Sequence, residues 1–138
     1  MTGEQADYTL IFDGGSLGNP GPGYGSYVLI RHRDGRQRIR RLNFKEEMTS
    51  NEAEYRALIA GLEDLLETIR SARRRPSDFS LEVRGDSRLI LNQVAGTWKT
   101  RQPHLMPLCD RARELLNRFG AFTLTWQGRE RSEEALGH

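Results

Sequence analysis

Three strand patterns follow one another in the first third of the chain. They cover residues 8–12, 24–33 and 36–44, and they are separated by Gly, Pro and Asp residues that favour turns. The pair Asp34-Gly35 between the second and third patterns is typical of a tight hairpin. We therefore expect three antiparallel strands, preceded by a polar segment, residues 1–7, that frays.

The spacing of the apolar residues changes after Thr49. Residues 49–52, T-S-N-E, form a capping box, in which Thr49 and Glu52 each accept a hydrogen bond from the other residue's backbone N–H. Four apolar residues from Leu58 to Ile69 then recur at helical intervals. The basic run before Pro76 ends this pattern, so a long helix that starts at Thr49 is predicted.

The remaining elements are a mixture of strands and helices. A fourth strand is predicted at 79–84, helices at 87–95 and 105–119, a fifth strand at 121–126, and the start of a last helix after it. The order βββαβααβ(α) predicts an α/β fold, in which helices flank a five-stranded mixed sheet. Three antiparallel strands come first, and later strands add in parallel if the long helix is a right-handed crossover.

Length and composition fit a single domain over residues 1–138, with 36% hydrophobic residues that argue against disorder. No stretch is apolar enough to span a membrane, and no signal pattern is present. Cys109 is the only cysteine, which excludes a disulfide framework within the chain, and we expect it to be buried in a helix. These features predict a soluble, cytoplasmic protein that makes no membrane contact.

The basic residues are almost all arginine. The chain has 21 Lys and Arg against 19 Asp and Glu, and only Lys45 and Lys99 are lysines. The planar guanidinium group suits phosphate contacts, although most exposed arginines are simply solvated. Trp98 beside Lys99 could contact a nucleic-acid backbone, but packing of Trp98 into the core is favoured. Charge thus permits nucleic-acid binding without requiring it.

Two acids follow strand patterns that we expect to be parallel neighbours. Asp13 comes directly after the first strand and Asp86 after the fourth. Ligands bind beyond the carboxyl ends of parallel strands, so these two carboxylates can converge. Taken singly, Asp13 also fits an Asp-Gly turn and Asp86 also fits a helix N-cap. Their positions become informative together with a third acid.

Glu54 is that third acid, since it heads the apolar stripe of the long helix and must face the sheet. A carboxylate in this position needs a cation, although Glu54 taken singly also fits a partly exposed acid in the first turn of the helix. Oxygen ligands without Cys or His favour Mg²⁺ or Mn²⁺, and two such ions are a common machinery for phosphoryl chemistry.

The segments around these acids resemble ribonuclease HI over essentially the whole chain. They are DGGSLGNPGPGYGSYVL around Asp13, TSNEAEYRALIAGL around Glu54 and VRGDSRLILNQVAGTWK around Asp86. The sequence has no basic insertion between the two later helices, and in this respect it is similar to the compact archaeal or plant-like type of the family. The resemblance implies an RNase H-like fold and hydrolysis of the RNA strand of RNA/DNA hybrids, which leaves 5′-phosphate and 3′-hydroxyl ends. It also implies that Asp13, Glu54 and Asp86 are catalytic residues that hold two Mg²⁺ or Mn²⁺ ions.

The resemblance also implies a substrate surface that reads the minor groove of the hybrid, where 2′-hydroxyl groups mark the RNA strand. The residues that match substrate contacts of the family are Gly14, Gly15, Asn19, Ser50, Asn51 and Arg88, and Thr49 matches part of a pocket for a DNA-strand phosphate. Double-stranded RNA is a second candidate partner, and we expect a monomer. A Holliday-junction resolvase of the same superfamily is disfavoured by the matches at Asn19 and at T-S-N.

The C-terminal segment departs from the family pattern H-V-P-R-x-x-N-x-x-A-D. Within WQGRERSEEALGH, Trp126 stands at the histidine position, Ser132 at the asparagine and Leu136 at the aspartate. Three hypotheses follow. Glu133 or Glu134 supplies a fourth metal ligand; three carboxylates suffice for a weaker enzyme; or the domain is a silent module that binds hybrid or duplex RNA. His138 could replace the missing histidine, although a terminal histidine is more typically solvated.

Overall fold

Residues 5–137 are described by the computed structural model, and within this range the backbone forms five strands and four α-helices. The strands are β1 (Tyr8–Ser16), β2 (Gly21–Arg31), β3 (Arg36–Met48), β4 (Ser80–Gly85) and β5 (Ala121–Trp126). The helices are α1 (Ser50–Ser71), α2 (Arg88–Ala95), α3 (Met106–Leu116) and α4 (Arg129–Leu136), and a 3₁₀ turn covers Pro76–Asp78. The order of elements predicted from the sequence is confirmed.

The strands form one mixed sheet in the order β3-β2-β1-β4-β5. The pairs β1–β2 and β2–β3 are antiparallel, whereas β1–β4 and β4–β5 are parallel. This is the predicted architecture, with three antiparallel strands followed by parallel additions. The hairpin between β2 and β3 turns at Asp34 and Gly35, where the Asp34 carboxylate accepts a hydrogen bond from the Arg36 N–H and Gly35 has φ of 73°.

β1 is longer than its sequence pattern predicts. The ladder with β2 continues through the glycine-rich stretch, where Gly14 pairs with Gly25 and Gly15 with Tyr24. Asp13 therefore lies inside β1 and not after it. Pairing between β1 and β4 ends at Ile11, opposite Arg84, so Asp13 is still beyond the parallel part of the sheet.

α1 begins as predicted, with both hydrogen bonds of the capping box present between Thr49 and Glu52. Its apolar stripe from Leu58 to Ile69 is buried in the main core. α2 and α3 add side chains to the same core, and Cys109 of α3 is buried there as expected. These three helices therefore pack against one face of the sheet.

α4 packs against the opposite face. Leu136 is fully buried against Ile11 of β1 and Val28 of β2, in a cluster separate from the main core, and side chains alternate between the two faces along a strand. Ser132 is also buried and accepts a hydrogen bond from the Gln127 amide. The last helix is thus eight residues long, and its apolar residue closes the second face of the sheet.

Two predictions from the sequence concern peripheral parts of the chain, Trp98 and the N-terminal segment. Trp98 is 47% exposed, so the favoured prediction of core packing is wrong. Gly96 ends α2 in a left-handed conformation, two residues before the tryptophan. Asp7, in the segment expected to fray, accepts a hydrogen bond from the Ser80 N–H at 2.8 Å. Residues 1–4 and His138 lie outside the described range. No helix between residues 5 and 137 is long and apolar enough to cross a membrane.

Candidate active site

Three carboxylates from separate elements meet at one edge of the sheet. Asp13 comes from β1, Glu54 from α1, and Asp86 from the connection between β4 and α2. One oxygen of each lies within 4.8 Å of the others. Among the described residues this is the single group of three or more Asp, Glu, His or Cys side chains that could hold a metal ion. The sequence prediction that these acids converge is confirmed.

Asp86 is kept available by its neighbours. The hydroxyl of Ser87 accepts the Ile90 N–H and caps α2, so the alternative in which Asp86 caps this helix is wrong. The backbone carbonyl of Asp86 accepts a hydrogen bond from the Trp126 indole N–H at 3.2 Å. The carboxylate is therefore not used by the helix terminus and faces the other acids, with its side chain 13% exposed.

Glu54 is the acid whose ionisation is most perturbed. Burial and the negative charges of Asp86 and Asp13 raise the pKa of Glu54 to about 8, because each makes the charged carboxylate less favourable. A hydrogen bond with Ser87 and the charge of Arg129 oppose this shift. Without a cation, Glu54 therefore holds a proton at neutral pH, and a bound divalent ion would displace that proton.

The first side of the site joins the β1–β2 turn to the start of α1. The Asn19 side chain accepts the Ser50 N–H at 3.2 Å, and the hydroxyls of Ser16 and Ser50 lie 3.3 Å apart. Asn51 follows in the first turn of α1. The structure thus brings together the predicted substrate contacts Asn19 and Ser50. The Thr49 hydroxyl accepts the Glu52 N–H at 3.2 Å and so has a structural use as well.

The structure explains why glycines stand beside Asp13, which the sequence did not reveal. A Cβ atom on Gly14 would lie 2.5 Å from the backbone of Ala53, and one on Gly15 would lie 2.6 Å from the Tyr24 hydroxyl. Gly14 is therefore required for α1 to approach β1, which is how Glu54 comes close to Asp13.

The second side of the site contains residues that sequence reasoning did not assign. Trp126 and Arg129 line the same pocket as the three acids. The Arg129 Nε atom lies 3.7 Å from a carboxylate oxygen of Asp86, and the Arg88 guanidinium lies 3.9 Å from the centre of the Trp126 ring. The family pattern contained a signal for Trp126, because this residue stands at the histidine position of the pattern. In the structure Trp126 pairs with Gly85, directly before Asp86.

The two glutamates considered as a fourth metal ligand are exposed on α4. Neither Glu133 nor Glu134 belongs to the acidic group found within residues 5–137. Glu133 instead lies 4.0 Å from Arg129. Leu136 points into the core of the second face, which sets the rotation of α4 about its axis. Both glutamates are thus outside the group of three acids, although Glu133 lies beside Arg129, which in turn lies beside Asp86. A fourth metal ligand from α4 stays a prediction.

Comparisons with known proteins agree on one family. The family model described as "Reverse transcriptase-like" matches residues 11–136. A ribonuclease HI of Halobacterium salinarum is 39% identical over 127 residues, which cover 90% of this chain and 58% of that relative. The chain therefore spans little more than half of that relative's length.

Two solved structures have the same fold. RNase H1 from the halophilic archaeon Halobacterium salinarum NRC-1 superposes with a TM-score of 0.74 at 36% identity, covering 94% of this chain and 92% of that one. LC11-RNase H1, in its complex with an RNA/DNA hybrid, gives a TM-score of 0.76 at 28% identity, covering 92% and 89%. The mixed sheet and its helices are thus an RNase H fold.

Proposed function

Because this chain belongs to the ribonuclease HI family, we propose that it is a metal-dependent endonuclease that hydrolyses the RNA strand of RNA/DNA hybrids. The observation that carries the proposal is the group of Asp13, Glu54 and Asp86, whose oxygens lie within 4.8 Å of one another. Like charges this close are unfavourable unless a cation joins them. The relative LC11-RNase H1 in complex with an RNA/DNA hybrid supports the choice of substrate.

The donor set fits a hard divalent cation. Asp13, Glu54 and Asp86 offer only carboxylate oxygens, which suit Mg²⁺ or Mn²⁺. The raised pKa of Glu54 fits as well, because burial and then the charges of Asp86 and Asp13 disfavour its ionised form, which a bound cation would favour. Two bound ions would activate a water and stabilise the leaving oxygen, with 5′-phosphate and 3′-hydroxyl products.

The chain's own residues orient the substrate and the acids. Asn19 and Ser50, joined by a hydrogen bond, hold the β1–β2 turn against the start of α1, where the backbone of a bound duplex would pass. The substrate contacts that we propose here are Gly14, Gly15, Asn19, Thr49, Ser50, Asn51 and Arg88. Trp126 fixes the backbone of Asp86 through its indole N–H. Arg129 places one positive charge beside Asp86 and partly screens the acids.

A second candidate is a module that binds hybrid or duplex RNA with a weak or silent catalytic site. One observation favours it: within the described residues no fourth acid joins the group, and Arg129 lies beside Asp86 instead. We favour the enzyme, because three oxygen ligands with water can still hold a divalent ion. A cytoplasmic location and a monomeric state are part of the same proposal, and double-stranded RNA is an additional partner to test.

Cleavage of an end-labelled RNA/DNA hybrid with Mg²⁺ or Mn²⁺ tests the enzyme directly, with Asp13→Asn as the matched control and EDTA as the metal-free control. We expect cutting of the RNA strand only, and none with Asp13→Asn. Retained binding of the hybrid without cutting by either metal would favour the binding module. A duplex RNA of the same sequence in parallel reactions determines whether it is also a substrate.

A further inference from the structure

We propose that Trp126 is a positioning residue that holds Arg88 against a backbone phosphate of the bound hybrid. This inference rests on the proposed function and deepens it, because it assigns a phosphate clamp next to the three acids. Arg88 would touch the nucleic acid, whereas Trp126 would act through Arg88.

The first observation is the position of Arg88. It is the first residue of α2, and a cation is disfavoured there because the N-terminal end of a helix is the positive end of its dipole. Within the part of the chain that the structure describes, Arg88 has no carboxylate partner; its guanidinium lies over the Trp126 ring, 3.9 Å from the centre. Helix stability therefore does not explain an arginine at this position.

The second observation is that Trp126 is itself held in place. Its indole N–H donates to the Asp86 carbonyl at 3.2 Å, and the next residue, Gln127, donates its backbone N–H to the Gly85 carbonyl at 2.9 Å. The ring is thus tied to the segment that carries Asp86. Because Trp126 also lines the pocket of the three acids, it sets the position of Arg88 relative to them.

Contact with Trp126 is compatible with phosphate binding by the N–H donors of Arg88. The guanidinium carbon of Arg88 lies 3.9 Å from the centre of the Trp126 ring, and a guanidinium that stacks by its face keeps its N–H donors available at the edge of its plane. These donors match two oxygens of one phosphate, and both Arg88 and Trp126 are exposed at the rim. An arginine whose rotamers are already restricted also loses less entropy when it binds.

The test is a double-mutant cycle on binding of a fluorescein-labelled RNA/DNA hybrid, measured by anisotropy in EDTA so that no cleavage occurs. We expect Arg88→Gln to raise Kd about tenfold and to reduce the slope of log K against log salt by about 0.9. Trp126→Leu should raise Kd about fivefold, and Trp126→Phe, which keeps an aromatic face, by less than about twofold. In the Arg88→Gln background, Trp126→Leu should have no further effect on Kd.

Trp98→Leu is the matched control, since Trp98 and Trp126 are 47% and 45% exposed. Any effect of Trp98→Leu should be the same with and without Arg88→Gln. Thermal unfolding of each variant shows that the fold is retained.

Two results would overturn the proposal: an unchanged Kd and salt slope for Arg88→Gln, or a double variant whose loss is the product of the two single losses. If the unaltered protein binds and cleaves the hybrid, either result rejects the clamp alone. If it neither binds nor cleaves, the proposed function and the clamp are both rejected.

Discussion

Replacing Glu54 by glutamine is predicted to stabilise the metal-free protein, and by more as the pH rises. The pKa of Glu54 is raised from 4.5 to about 8, first by burial and then by the charges of Asp86 and Asp13. Between these two pH values the folded protein holds a proton that the unfolded chain has released. The free energy of unfolding therefore falls as the pH rises towards 8. Glutamine cannot ionise, so this loss is absent from the variant.

The magnitude follows from the same two pKa values. The difference between these pKa values corresponds to about 5 kcal/mol in the free energy of unfolding, if water did not screen the charge of Glu54. Two carboxylate charges no more than 4.8 Å apart repel by about 3.5 kcal/mol or more at an effective dielectric constant of about 20. Because Glu54 is only partly buried and water screens the group, we expect a gain of about 2 kcal/mol at pH 9. For a domain of this size that gain raises Tm by about 6–10 °C.

Urea unfolding in EDTA at pH 5, 7 and 9 is the assay, with Glu47→Gln on the exposed part of β3 as the matched carboxylate control. The difference between Glu54→Gln and the unaltered protein should be small at pH 5 and largest at pH 9, whereas Glu47→Gln should show no such trend. An equal difference at pH 5 and pH 9, or a variant that is less stable at pH 9, would refute the reasoning.

Three further predictions concern the same edge of the sheet. Asp86→Asn should reduce metal-dependent cleavage more than about 100-fold, beyond the loss expected for an outer partner of a metal ligand; a parental rate in the hybrid assay would contradict the assignment. Leu136→Asp should lower the free energy of unfolding by about 3–5 kcal/mol, because Leu136 is fully buried against Ile11 and Val28; urea unfolding checks this, and a stable variant with faster cleavage would show that the position belongs to the metal site. Arg129→Gln should lower the Mg²⁺ concentration for half-maximal cleavage by about twofold to fivefold, because the exposed Arg129 guanidinium no longer competes with Mg²⁺ for the Asp86 carboxylate. A higher Mg²⁺ requirement would show that Arg129 assists the reaction.

The second of these predictions illustrates how the structure changes a functional hypothesis. From the sequence, Leu136 is the place where the family has an acid, so an aspartate there would be expected to raise the activity of an enzyme that works with three carboxylates. In the structure this leucine closes the second face of the sheet. A carboxylate at this position would lose apolar contacts and be buried without a partner, and both effects cost stability.

Features that depend on near neighbours in the chain were predictable. The capping box at Thr49 and Glu52, the apolar stripe from Leu58 to Ile69 and the turn at Gly35 each involve residues a few positions apart. Their order along the chain led to the mixed sheet. The convergence of Asp13, Glu54 and Asp86 followed from that topology, and the family resemblance pointed to the same three acids.

Features that depend on contacts between distant segments were not predictable. β1 extends beyond Asp13 because β2 supplies partners for Gly14 and Gly15. Gly14 itself is explained by the backbone of Ala53, on another element. Trp98 carries the same apolar signal as a core residue, but it lies exposed in the connection that follows the end of α2 at Gly96.

The sequence by itself determined the order of the elements, the α/β class and the three acids of the site, because turn chemistry, helix capping and hydrophobic period are local properties. The tertiary structure alone decided which groups surround those acids. The burial of Leu136 sets the rotation of α4, which leaves Glu133 and Glu134 exposed and outside the group of three acids. The pairing of β5 with β4 brings Trp126 beside Asp86 and under Arg88. Both outcomes depend on how separate elements pack, and no pattern along a single element records that packing.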